Sequence, residues 1–183
     1  MKKYLILVIA SLLVTTFIYE KANAAEKIEL SCIGVVTNSF MNYGRGDIVI
    51  DPESKQVNVV VEYGYVDYFA KEKGWNVYFG DKHFYNVHKT YAATDDDSKF
   101  TENTILTVGK NLIKAESDSN GGVRSNTSLN QMDDEHTTVH LEINRVNGEF
   151  VFRRITNFIY ADGAKSLEVY GQNGSCKKLT HKF

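Results

Sequence analysis

With 183 residues and a formal net charge of −2, the chain has no basic excess of the kind that marks a surface for nucleic acid or anionic membrane. One proline, thirteen glycines and an abundance of Val, Ile, Thr, Tyr and Phe favour strands over helices. No GxSxG, HExxH or phosphate-binding glycine loop is present, so no catalytic class is indicated and no cofactor is implied.

The N-terminus reads as a secretory signal peptide over residues 1–24. Lys2 and Lys3 start it, Leu5 to Ile18 form its apolar core, and Ala22-Asn23-Ala24 supplies a small-x-small cleavage site. The apolar run is short for a membrane span, so no stable insertion is expected after cleavage. The expected mature chain is a single domain, 25–183, in the periplasm or the medium. In such an oxidising compartment Cys32 and Cys176, near its two ends, are expected to form one disulfide. That bond would place the first and last strands side by side or face to face.

The mature chain then reads as strands joined by turns. Ile28 to Thr37 is the first, followed by a loop from Asn38 to Arg45. Asp47 to Asp51 and Gln56 to Glu62 are expected as two strands around an Asp-Pro turn, Asp51 to Lys55. Gly64 to Ala70 is ambiguous. Trp75 to Phe79 and Phe84 to Tyr91 are aromatic strands around Gly80-Asp81-Lys82. Ala92 to Asn103 reads as a polar loop, and Thr104 to Val108 with Leu112 to Glu116 as a hairpin around Gly109-Lys110-Asn111. Ser117 to Asp134 is poor in apolar residues and reads as the longest loop.

Thr137 to Ile155 is the clearest hairpin. Val139, Leu141 and Ile143 alternate with His140, Glu142 and Asn144, and Phe150 and Phe152 alternate with Val151 and Arg153. A two-residue turn at Asn147-Gly148 would set Ile143 against Phe152 and Leu141 against Arg154, with Glu142 opposite Arg153 as an ion pair. On this register Arg145 and Arg154 share a face with the apolar residues. They either snorkel at the sheet rim, or one enters a cavity and holds an anion or a buried carboxylate. Segments at Ile155 to Tyr160, Ser166 to Tyr170 and beyond Cys176 complete the count. The expected fold is all-β: an antiparallel meander of about eight or nine strands forming a barrel or a two-sheet sandwich.

Other polar groups read blandly. His136 and His140, four apart on a strand, are about 13 Å apart and cannot share a metal. His83 and His88 differ in parity. The runs Asp95 to Asp97 and Asp133 to Glu135 lack the spacing of a calcium loop and read as solvated charge. Ten aromatic residues crowd Tyr63 to Tyr91. Most suit sheet packing, but Trp75, Tyr65 and Tyr68 border the least regular stretch and join Arg145 and Arg154 as candidate ligand contacts.

Several pieces resemble small secreted all-β proteins of Gram-negative bacteria: Cys32-x-Gly34, the Ile48-Val-Ile-Asp run leading to Val57, Ile143-x-Arg145 with Gly148, and Gly174-x-Cys176 ahead of Lys182-Phe183. The resemblance implies an exported all-β domain and no particular activity. Size and layout are also similar to periplasmic lysozyme inhibitors, in format alone. The expectation is a non-enzymatic binding module for a small apolar or anionic ligand. The alternative is a factor that binds an envelope protein, as an inhibitor or immunity protein does.

Overall fold

The computed structural model describes residues 27–42, 46–67, 71–92, 99–121, 132–160 and 162–179. The signal-peptide segment, the Asp95 to Asp97 run and Tyr68 lie outside them. Among the described residues no helix is long and apolar enough to cross a membrane.

The described residues form ten strands in one antiparallel sheet: β1 (Ile28–Asn42), β2 (Gly46–Asp67), β3 (Glu72–Phe79), β4 (Lys82–Phe84), β5 (Val87–Ala92), β6 (Lys99–Val108), β7 (Leu112–Gly121), β8 (Met132–Asn144), β9 (Glu149–Tyr160) and β10 (Lys165–Lys178). Their order is β4-β3-β2-β1-β10-β9-β8-β7-β6-β5. It is a single sheet rather than a two-sheet sandwich.

The order forces the sheet to curl. β4 and β5 are its two edges, yet only Tyr85 and Asn86 separate them in the chain. In a flat ten-stranded sheet those edges would stand about 43 Å apart. Three residue steps reach at most about 11 Å. The result is a half-barrel. Across its interior Phe79 of β3 stacks on Phe152 of β9 with ring centroids 4.8 Å apart, although three strands intervene in the sheet. At the seam, Lys89 of β5 bonds Asp67 of β2 at 3.1 Å, and Leu106 N donates to Asn86 Oδ1 at 2.6 Å.

β1 and β10 lie side by side, and Cys32 faces Cys176 across their ladder in a disulfide. Cys176 N donates to Gly148 O at the β8–β9 turn, so its amide points away from β1. The cysteine pair therefore has no ladder hydrogen bonds between its members, the arrangement in which facing side chains come closest. One rung away Gly34 faces Gly174. A Cβ on Gly174 would collide with the Ile33 carbonyl, and the Phe150 ring lies over the space a Gly34 Cβ would need.

Four expectations are corrected. First, Asp51 to Lys55 is not a turn: β2 runs through it as one strand. Val36 pairs with Glu53 and Asn38 with Ile50, so Thr37 opposes both Asp51 and Pro52. That is a β-bulge, and β3 pairs with β2 only from Val59 onward, so Pro52 sits where a residue without an N–H fits. Second, Phe84 to Tyr91 is interrupted at Tyr85-Asn86, and its halves go to opposite edges of the sheet. Third, three expected loops are partly strand: Asn38 to Asn42 extends β1, Ala92 ends β5 while Lys99 to Asn103 opens β6, and both ends of Ser117 to Asp134 lie in β7 and β8, held by pairing with neighbouring strands against a weak local strand propensity. Residues 122–131 lie outside the described set. Fourth, the β8–β9 turn has four residues, 145–148, and Ile143 faces Phe150. Asn144 Oδ1 accepts from the amides of Val146 and Asn147, and Gly148 takes φ +79°, stabilising the longer turn. The register shifts by two residues, so every side chain that stays in a strand keeps its expected face, while Arg145 leaves the apolar face for the turn. The partners change: His140 rather than Glu142 faces Arg153, and Val139 rather than Leu141 faces Arg154.

Candidate ligand-binding site

Rungs of the ladder divide the concave face into two bands. In the first, successive rungs carry Ile28, Cys32, Val59, Val61, Val77, Phe79, Leu106, Ile113, Ala115, Leu141, Ile143, Phe150 and Phe152, all buried. In the second the same alternation continues with polar residues. One rung runs Asn38, Tyr170, Arg154, Val139, Ser117, Thr104; the next runs Phe40, Glu168, Thr156, Thr137, Ser119, Glu102.

The polar side chains of the second band bind one another. Thr104 Oγ1 donates to Ser117 Oγ at 2.9 Å. Thr137 Oγ1 lies 3.1 Å from Thr156 Oγ1 and 3.2 Å from Glu135 Oε1. Having one proton, Thr137 donates to the carboxylate and accepts from Thr156. Arg154 Nη2 donates to Glu168 Oε1 at 2.9 Å, and the guanidinium lies 5.7 Å from the Tyr170 ring centroid. Gln172 is buried and donates from Nε2 to Lys55 O at 2.9 Å, spanning β1.

A cavity of about 490 Å³ opens where the two bands meet. Phe79, Phe152 and Val57 give its apolar part, Tyr170, Gln172 and Arg154 its polar wall, and Lys55, Lys82 and Asp81 belong to its lining. Two further cavities hold about 310 and 720 Å³. Among the described residues, two buried side-chain polar atoms lack a hydrogen-bond partner, Asn38 Oδ1 and Arg154 Nε. Arg154 lines the 490 Å³ cavity and Asn38 is the rung neighbour of its Tyr170. Neither lines the other two cavities.

Of the candidates read from sequence, Arg154 is in this cavity. Arg145 is not. It sits in the β8–β9 turn, donates from Nη1 to Gly109 O at 2.7 Å and from its amide to Asn111 O, and so ties two hairpin tips together. Trp75 packs edge-on against Tyr63 at 5.5 Å and covers part of the core. Tyr65 is exposed, with the Lys73 ammonium 5.2 Å from its ring. Neither lines the 490 Å³ cavity. Glu168, Tyr170, Gln172, Lys55 and Lys82 were missed from sequence. The first three were legible by counting in twos back from Cys176 along β10. The two lysines depend on how the sheet curls.

Several other titratable groups are on the other face or at the seam. His136 lies 3.1 Å from Asp118, and His140 lies near Glu116 and Glu142. The Lys114 ammonium, hydrogen-bonded to Glu116, holds that carboxyl below its ordinary range. At the seam His83 stacks on Tyr78 at 4.4 Å, and its Nε2 is 2.8 Å from Oδ1 of the buried Asn76. Burial lowers the His83 pKa, opposed by Glu62 and Glu102. Among the described residues no three His, Cys, Asp or Glu side chains gather to hold a metal ion. No family model, curated protein or solved structure matches the chain.

Proposed function

We propose that this is an exported binding domain, rather than an enzyme, and that it takes a small amphipathic ligand in the concave cavity. The apolar body lies on Phe79 and Phe152 and an anionic group meets Arg154. One observation carries the reading: a stacked phenylalanine pair and an arginine whose buried Nε has no partner share one cavity of about 490 Å³. That volume falls in the range of small-molecule sites, which are mostly apolar with a few placed polar groups. Lys55 and Lys82 outnumber Asp81 in the lining and favour a negative group. The disulfide supports export, because such bonds persist in oxidising compartments.

Calorimetric titration of the purified protein with decanoate tests the reading. Saturable binding is expected, weakened at least about tenfold by Arg154→Met, since charged hydrogen bonds contribute more than neutral ones. Arg145→Met, remote from the cavity, should leave the affinity unchanged. Absence of binding, or equal loss in both variants, would overturn the assignment.

A further inference from the structure

Two buried atoms of opposite kind lack partners here, one in the cavity lining and one a strand beyond it, behind Tyr170. Arg154 Nε carries a proton and can only donate; Asn38 Oδ1 can only accept. They occupy the same rung, with Tyr170 between them: Asn38 faces Tyr170 across β1–β10, and Tyr170 faces Arg154 across β10–β9. Facing residues on a rung share one side of the sheet, so all three belong to the concave side. Glu168 already balances the Arg154 charge through Nη2, leaving Nε for something else.

A ligand with an apolar body alone leaves both atoms without partners. A simple carboxylate answers Arg154 and leaves Asn38. Resting on the reading above, we infer that the natural ligand is a hydroxy acid with an apolar tail, its carboxylate accepting from Arg154 Nε and its hydroxyl donating to Asn38 Oδ1. Two strand separations set the Asn38 and Arg154 backbones about 9.5 Å apart, so a head group that answers both side chains must carry its two oxygen functions on separate carbons. Tyr170 stands between the two atoms and lines the cavity. Its ring swings aside as the head group enters, a rotamer change of a kind common on binding.

The test compares decanoate with 3-hydroxydecanoate by calorimetry on the full protein. The wild type should favour the hydroxy acid by at least about tenfold, because a site built to pair with a hydroxyl discriminates against its absence. Asn38→Leu should erase that difference; Asn38→Ala serves if the leucine variant fails to fold. Equal wild-type affinities overturn this inference and leave the amphipathic-ligand reading standing. A preference that survives loss of the Asn38 amide overturns the role of Asn38. Binding of neither acid overturns both.

Discussion

The two bands of the concave face have the same strands, the same ladders and the same alternation, yet they do opposite things. The apolar band is closed by side chains that meet across the interior, Phe79 on Phe150 and Phe152. The polar band is closed along the sheet, hydroxyl to hydroxyl between neighbouring strands. Packing across the interior leaves no room; pairing along a sheet leaves the space above it open. The cavity lies at the boundary because there one kind of closure gives way to the other.

Breaking the two bands should cost different amounts. The largest effect is loss of the Cys32–Cys176 bond, which closes a loop of 144 residues of sequence separation beside the apolar band. Replacing both cysteines with serine should cost about 5 kcal/mol on the chain-entropy account, read from urea unfolding at fixed pH. Phe150→Ala should follow at about 3–5 kcal/mol, because its ring is 2% exposed and also lies over Gly34. In the polar band, Thr156→Val should cost only about 1 kcal/mol: it removes one neutral hydrogen bond, and Thr137 keeps Glu135. If the threonine variant lost as much as the phenylalanine one, the two bands would not differ as described.

The smallest effect is at the seam. Burial holds the folded-state pKa of His83 below its ordinary 6.5, against the pull of Glu62 and Glu102. The unfolded chain therefore binds more protons in the window just below 6.5, and stability falls as pH drops through it. Above that window the His83 contribution is fully present. The urea midpoint should decline more steeply for the wild type than for His83→Gln as pH falls from about 7.5 to about 5.5. Parallel curves would place the pH sensitivity elsewhere.

How much was legible depends on what each signal rests upon. The apolar stripe Val139, Leu141, Ile143, Phe150, Phe152 was readable because alternation along a strand survives a two-residue change of register. The partner of Arg153 was not, because it depends on whether the turn has two residues or four, and Asn144 Oδ1 decided that by capping the longer turn. Pro52 was misread because an Asp-Pro signal fits a turn and a bulge equally well; only the partner strand β1 distinguishes them. Arg154 was legible as a polar group on an apolar face, but Asn38, Lys55 and Lys82 come from strands far away in sequence.

The all-β character and the facing of the strands follow from residue type and a period of two, which are local; the nearness of the two cysteines was readable only through the oxidising compartment expected of an exported chain. The long-range arrangement does not follow from local signals. That one continuous sheet forms, that its edges meet at Tyr85-Asn86, and that Phe79 arrives over Phe152 all follow from the accumulated twist and curl of ten paired strands. The site exists only in that tertiary structure, because its walls come from β2, β3, β4, β9 and β10 and meet only when the sheet closes over itself.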